Sequence, residues 1–424
     1  MKFEEMNLNK KLTESLKTMG FDTATEVQEK VIPYVLEGKS VVVRAKTGTG
    51  KTATFIVPIM QMLEHSRAVE AIVIAPTREL AIQISNFSKK LGRPLNFYTT
   101  TVYGGASINV QVQELREMPN IVVGTPGRIL DLIKRGALRL DKIKYVVLDE
   151  ADVMLDMGFI DDIEEIIANM PSEKQLMLFS ATMPREITKI AERYLRDPQN
   201  IQRVIIGSEE DISVSTIKHY YTIVPSKLKY SALLAYINEY KPKKAIIFTR
   251  TKSEADTLYR FLQSNNYNSI LLHGGLTQAM RERSLGNFRV NAQFLVATNI
   301  AARGLDIEGI TDIINFGLPE EPNVYVHRVG RSARMGKEGR AMIIADTSER
   351  REILGIEYYA HISITNINLN LEPFLNVKVP AFDYNHRNHY ENQQYRNQQH
   401  RNSNYRRDYN RSGYRNYRRS SRRN

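Results

Sequence analysis

Apolar residues in this chain gather in short, nearly unbroken runs at 41–44, 71–75, 121–123, 145–148 and 176–179. Stretches of helical period, roughly 10–15 residues long, separate most of them. Runs without polar interruption fit strands buried on both faces. Their alternation with helices predicts a parallel sheet covered on both sides. The pattern lapses over the polar, acidic segment Ile206-Gly207-Ser208-Glu209-Glu210-Asp211-Ile212-Ser213. It resumes at 217–224, 245–248, 269–272, 293–297, 313–316 and 341–344. The prediction is two α/β domains in tandem, 1–207 and 216–375, joined by a linker at 208–215. Ahead of the first strand, Leu8, Leu12, Leu16 and Met19 recur at helical spacing. Residues 1–36 are therefore read as helical, with Asn7 or Asn9 as cap.

Composition changes the picture towards the C-terminus. Positions 384–424 hold 11 Arg, 9 Asn and 7 Tyr, with no Leu, Ile or Val. Nothing there can build a packed core, so 376–424 is predicted to be disordered when free. Glu391 and Asp408 are the only acids of 384–424. That segment therefore carries +9 of the net +12 and leaves +3 for the other 383 residues. Arg and Tyr interleave, as in Tyr405-Arg406-Arg407 and Tyr417-Arg418-Arg419. Guanidinium groups meet phosphates and phenol rings stack on bases, which suits salt-dependent RNA binding of low selectivity. The 424 residues include no cysteine, and no apolar run is long enough to span a bilayer. Disulfides and thiolate metal sites are excluded. With no basic-then-apolar leader, the expectation is a cytoplasmic protein without a membrane anchor.

The strand at 41–44 runs into Ala45-Lys46-Thr47-Gly48-Thr49-Gly50-Lys51-Thr52 and then a helical stretch. This is a phosphate-binding loop, with Ala45 in place of the usual first glycine. Gly48 and Gly50 let the backbone curl so that N–H groups point at phosphate oxygens, and the helix start adds its positive dipole end. Lys51 is placed to reach the β- and γ-phosphates of ATP, and the Thr52 hydroxyl to ligate Mg²⁺. The strand at 145–148 ends in Asp149-Glu150-Ala151-Asp152. Acids just past the C-terminal end of a parallel strand lie where open α/β sheets bind ligands. Asp149 is the expected metal ligand, and Glu150 the base that orients and deprotonates the attacking water.

From Phe3 to about Ala341, these and other ordered motifs resemble the DEAD-box ATP-dependent RNA helicases of superfamily 2. The resemblance implies two tandem RecA-like P-loop domains with parallel sheets. It also implies ATP and Mg²⁺ as ligands, RNA-stimulated hydrolysis, and local unwinding of RNA or remodelling of RNA–protein complexes. Gly20-Phe21-Asp22-Thr23-Ala24-Thr25-Glu26-Val27-Gln28 looks like the Q motif, with Ala24 where proline or cysteine is usual. Gln28 would bond the adenine edge and Phe3 would stack on its ring. Phe21, Thr47, Gly48, Thr49 and Gly50 complete the expected nucleotide site of the first domain.

Pro76-Thr77-Arg78-Glu79-Leu80, Gly104-Gly105 and Thr125-Pro126-Gly127-Arg128 resemble the RNA-contacting motifs of that domain, whose groups suit phosphates rather than bases. Ser180-Ala181-Thr182, with Asp152, resembles the element coupling nucleotide state to RNA. In the second domain, Gln278 and Arg281, then Thr298 and Arg303, would touch RNA. Gly304 and Asp306 would lie near ATP, and Asn299 replaces the more usual Asp. Tyr325-Val326-His327-Arg328-Val329-Gly330-Arg331-Ser332-Ala333-Arg334 looks like motif VI. There Arg331 and Arg334 would face the γ-phosphate, with Arg334 as arginine finger, while His327 and Arg328 would link to neighbouring motifs. Arg328, Arg331 and Arg334 are read along one side of a helix. RNA is the expected partner, with ribosomal precursors or RNA-decay machinery as wider settings. An ATP-switched RNA clamp and a DNA-dependent motor would use the same motifs.

Overall fold

The computed structural model describes residues 1–45, 49–64, 66–194, 201–206, 217–299, 307, 309–330 and 339–380. Residues 1–378 form one compact unit, and 379–424 fall outside it.

The first lobe (1–206) is built on a seven-stranded sheet. Its strands are β1 (Ser40–Arg44), β2 (Ala71–Ile74), β3 (Thr99–Val102), β4 (Ile121–Gly124), β5 (Tyr145–Leu148), β6 (Gln175–Ser180) and β7 (Ile201–Ile205). Their order is β3-β4-β2-β5-β6-β1-β7, with every pair parallel. Successive strand residues feed opposite faces. Val41, Val43, Val73 and Phe179 join one buried cluster, while Val42, Ile72, Ile74 and Leu178 join another. This two-sided burial is why the strands read as unbroken apolar runs.

The second lobe (217–378) repeats the plan. Its strands are β8 (Ile217–Ile223), β9 (Ala245–Thr249), β10 (Ser269–Leu272), β11 (Phe294–Thr298), β12 (Asp312–Phe316), β13 (Gly339–Ala345) and β14 (Thr365–Asn366). The order is β10-β11-β9-β12-β13-β8-β14, again parallel. Ile246 and Phe248 enter one cluster, Ala245 and Ile247 the other. Among the described residues, no apolar cluster mixes the two lobes, so each lobe has its own core. Packing continues through Phe374 and Val377.

Three sequence expectations need correction. Residues 1–36 are not one helical stretch. A 3-10 turn at Phe3–Glu5 precedes helices Lys10–Thr18 and Glu26–Leu36, and Gly20 breaks the chain between them at φ +83°. Asn9 is the cap, accepting from the Lys11 N–H at 2.9 Å. β3 escaped the apolar reading because it is Thr99-Thr100-Thr101-Val102. Two of its three hydroxyls pair with helix serines, Ser88 with Thr99 at 2.7 Å and Thr101 with Ser85 at 2.5 Å. β7 and β14 escaped because they are edge strands, most of whose residues are partly or fully exposed. The proposed linker, 208–215, lies outside the described residues.

The topology decides where chemistry sits. β1, β2, β3, β4, β5 and β6 lead at their C-terminal ends into the motif segments at 45–52, 76–80, 104–105, 125–128, 149–152 and 180–182. A parallel sheet puts all six on one edge, the edge where open α/β sheets bind ligands.

Candidate nucleotide site and RNA-contact patch

The phosphate loop leaves β1 beside β6, where the Ala45 N–H donates to the Ser180 carbonyl at 3.0 Å. It ends at Gly50, whose φ of +89° starts helix Lys51–Met62. A Cβ at Gly50 would come within 2.5 Å of Gln28 Nε2, so both backbone angle and space demand glycine. Gln28 is 1% exposed. Its Oε1 accepts from the Thr25 N–H at 2.9 Å, and its Nε2 donates to the Gly50 carbonyl at 3.1 Å. The Thr25 hydroxyl donates to the Thr49 carbonyl at 2.8 Å. The Q-motif segment thus holds the loop from behind, and each end of the Gln28 amide retains one bonding position. Lys51 is buried, and its ammonium donates across the loop to the Ala45 carbonyl at 3.1 Å.

Asp149 follows β5 and is buried, accepting the Glu150 N–H at 3.0 Å. Burial pushes its carboxyl up to about 6. The neighbouring Glu150 and Asp152 charges add to the rise, while Lys51 opposes it. Glu150, also buried, holds φ +51°, a left-handed angle that is rare for a side chain of its size. Asp152 is bonded to the Ser180–Thr182 segment. Its Oδ2 accepts from the Thr182 N–H at 2.8 Å and the Thr182 hydroxyl at 2.9 Å, and its own N–H donates to Ser180 Oγ at 3.1 Å. From the second lobe, His327 Nε2 comes within 3.6 Å of the same Oδ2, a contact too long for a full hydrogen bond. Burial alone would raise Asp152. The facing His327, the Lys51 ammonium and the Thr182 N–H instead hold it well below the usual carboxylate range.

The other motifs form a second cluster. Thr77 caps helix Arg78–Gly92 through the Leu80 N–H at 3.3 Å. The Arg78 guanidinium lies under the turn at Gly104-Gly105. A Cβ at Gly105, where φ is +84°, would meet its Nη1 at 2.3 Å. Arg128 donates to the Ala106 carbonyl at 3.3 Å and to Gln111 Oε1 at 2.9 Å. The second lobe closes on this patch with helix Gln278–Val290. Gln278 Oε1 accepts from Arg78 at 3.4 Å, and Arg281 pairs with Glu79 Oε1 at 2.6 Å and 2.8 Å. Both side chains of that ion pair are under a tenth exposed, 8% for Arg281 and 6% for Glu79. Burial, then the charges of Arg281 and Arg128, lower the Arg78 guanidinium, so positive charge is concentrated here.

Residues 25–190 match the DEAD/DEAH box helicase family and 228–336 match the helicase conserved C-terminal domain. The DEAD-box ATP-dependent RNA helicase CshA of Bacillus subtilis is 44% identical over 357 residues, 84% of this chain and 72% of that protein. The chain belongs to the DEAD-box ATP-dependent RNA helicases. Two solved structures extend the likeness across both lobes. S. cerevisiae Dbp5 bound to RNA and ADP BeF3 gives a TM-score of 0.78 at 29% identity, over 86% of this chain and 95% of that one. Mss116p bound to ssRNA and AMP-PNP gives 0.80 at 28% identity, over 88% and 80%. The expected RecA-like architecture with parallel sheets is therefore the architecture of this helicase.

The structure gathers Gln28, Thr49, Gly50, Lys51, Thr52, Asp149 and Glu150 at one end of the first sheet. It gathers Ser180, Thr182, Asp152 and His327 into one network. Pro76, Thr77, Arg78, Gly104, Gly105, Thr125, Pro126, Gly127 and Arg128 share that sheet edge, and Thr298 ends β11. Thr47, Gly48, Arg303, Gly304, Asp306, Arg331 and Arg334 lie outside the described residues. Helix Pro322–Val329 stops at Gly330, so the described helix carries only Arg328 of the three arginines.

Phe3 is placed otherwise than expected. Phe3 is 1% exposed and packed in the first lobe's core, leaving no ring face for a base. Phe21 meets Phe87 edge-on at 5.5 Å, on the helix that starts at Arg78. Arg281, expected on RNA, is spent on Glu79. Asn299, in place of the usual Asp, still accepts from Arg328, which also donates to Asn315 Oδ1 at 2.7 Å and lies 4.9 Å over the Phe248 ring. The sequence reading gave Glu79 no role. Its partner is 202 positions away, and only the fold brings them together.

Proposed function

We propose that this helicase hydrolyses ATP in one centre assembled from both lobes, and that RNA favours the same assembly. The observation carrying this is that the lobes meet at two places at once, Asp152 with His327 beside the nucleotide site and Glu79 with Arg281 in the RNA motifs. Any ligand that strengthens one contact strengthens the other, so ATP and RNA should bind cooperatively.

In this reading, Gln28 reads adenine through its remaining N–H and lone pair. Lys51 and the N–H groups of 47–51 hold the β- and γ-phosphates, and Glu150 receives the proton of the attacking water. Asp149 and Thr52 would hold Mg²⁺. The fit rests on the donor set, one carboxylate and one hydroxyl, and on a buried Asp149 carboxylate whose costly charge a cation would offset. When bound, Mg²⁺ supplies charge neutralisation at the phosphates. Arg331 and Arg334 come from the second lobe with Gly304 and Asp306, so the open enzyme lacks the arginines that are worth about 10³–10⁵ in rate. Arg78, Arg128, Thr125, Gln278, Thr298, Arg303 and the Gly104-Gly105 turn grip phosphates, which gives little base preference. Arg281 acts through Glu79.

Closure around a bent strand would part a few base pairs, and hydrolysis would release it. The residues 376–424 add a tether, Arg to phosphate and Tyr to base. The setting is cytoplasmic, with ribosomal precursors or RNA-decay machinery as the wider context. Strand displacement by the full chain tests the reading: ATP-dependent release of a short RNA duplex is expected. An ATP-dependent complex that holds RNA without releasing strands would make it a clamp, and equal stimulation by DNA would make it a DNA-dependent motor.

A further inference from the structure

We propose that His273 is a positioning residue of the RNA face. It is a neutral imidazole clamp that fixes the Gly274-Gly275 turn and, through it, the start of helix Gln278–Val290. The inference rests on the reading of Gln278 as a phosphate contact of the second lobe and of Arg281 as acting through Glu79.

His273 follows the last residue of β10, Leu272. Its ring is buried beneath the exposed Gly274 and Gly275. Nδ1 lies 3.0 Å from the Gly275 backbone nitrogen. A backbone N–H can only donate, so Nδ1 accepts and carries no proton. The ring hydrogen then sits on Nε2, which faces Asp256 Oδ1 at 3.2 Å on helix Lys252–Ser264. One carboxylate thus fixes the tautomer and orientation of the ring, and the ring fixes the turn. The Leu276 N–H closes the turn onto the His273 carbonyl at 3.1 Å.

The consequence is carried along the chain. Thr277, next after the turn, caps the helix. Its hydroxyl accepts from the Met280 N–H at 3.4 Å, and its carbonyl accepts from the Arg281 N–H at 3.0 Å. Gln278 and Arg281, in the first turn of that helix, are the residues that reach Arg78 and Glu79 in the other lobe. Their contacts tolerate little displacement, since an ion pair at 2.6 Å with both partners buried has no slack. A turn freed from the imidazole lets the helix start wander, and both cross-lobe contacts weaken together. His273 touches neither nucleotide nor the groups that hold it, so its effect belongs in the response to RNA and not in the maximal rate.

The test is RNA-stimulated ATP hydrolysis by the full chain, titrated with poly(U). For His273→Ala, the RNA concentration at half-maximal rate should rise about tenfold, as expected for one lost hydrogen bond in a buried turn, with kcat at saturating RNA within about twofold. His273→Asn places an amide oxygen where Nδ1 lies and should recover to within about threefold of the parent. Asp256→Asn should fall between the two. A half-maximal concentration within twofold of the parent in the alanine variant would overturn the assignment. So would a fall in kcat alone, or an asparagine variant as impaired as alanine. Should His273→Ala fail to fold, Asp256→Ala decides, its carboxylate being 37% exposed: a rise of about threefold supports the clamp and no rise overturns it. Parent protein unresponsive to poly(U) would overturn the RNA reading together with the clamp, whereas a responsive parent with an unaffected alanine variant overturns the clamp alone.

Discussion

Arg281→Met removes one partner of the ion pair that joins the lobes. Arg281 and Glu79 are 8% and 6% exposed, so a closed molecule would keep the Glu79 carboxylate out of water without its guanidinium. Stranding one partner of a buried pair is destabilising by about 3–5 kcal/mol. Arg78, the next residue and itself cationic, offsets part of this, and about 3 kcal/mol is a working value. The lobes have an escape that a single core lacks, because opening returns Glu79 to water. The loss therefore falls on closure and not on the fold of either lobe. At 1.4 kcal/mol per decade, it lowers the closed population roughly 100-fold. The RNA concentration for half-maximal ATPase should rise by about two decades, with the melting temperature unchanged. Glu79→Gln in the same chain removes the stranded charge and should recover part of the loss, so the two single effects would not add. A rise below about threefold, or strictly additive single effects, would refute the latch. Additivity would mean that Arg281 acts on RNA phosphates alone.

Asp149→Asn should stabilise the nucleotide-free protein at high pH. The folded carboxyl sits at about 6 against 3.8 unfolded, so the fold prefers the protonated form and loses stability as pH rises through that window. Thermal melting should show a gain of about 3 kcal/mol above pH 7 that vanishes below pH 4, and a pH-independent effect would contradict the burial argument. Glu150→Gln should leave ATP binding in place and lower RNA-stimulated hydrolysis by about 10²-fold or more, read by single-turnover release of phosphate. Gly105→Ala puts a Cβ 2.3 Å from Arg78 Nη1 at φ +84°. It should weaken RNA binding by about tenfold in a fluorescence titration without changing affinity for ATP.

Much of this was legible in the letters. Two parallel sheets follow from unbroken apolar runs because residues such as Val41 and Val42 serve opposite faces, and the motif order told which strand ends carry chemistry. The Thr99–Val102 strand was not legible, since its hydroxyls look like loop until Ser85 and Ser88 are set against them. The stacking role expected of Phe3 failed for a related reason. A phenylalanine reads alike whether it faces a ligand or a core, and Phe3 faces the core. Roles that depend on distant pairing were the hardest. Arg281 reads as a phosphate ligand until Glu79 is found beside it, and His273 carries no signal until Gly275 and Asp256 close around it.

Catalysis is expected to need both lobes. The first lobe has its own two apolar clusters and can be prepared as residues 1–206. Its ATPase rate, set against that of the full chain at saturating RNA, is the decisive comparison. Less than about one part in a hundred of the full rate is expected, with ATP still bound, on the proposal that Arg331 and Arg334 of the second lobe complete the site. Hydrolysis by residues 1–206 as fast as by the full chain would mean that the first lobe alone holds a complete catalytic set.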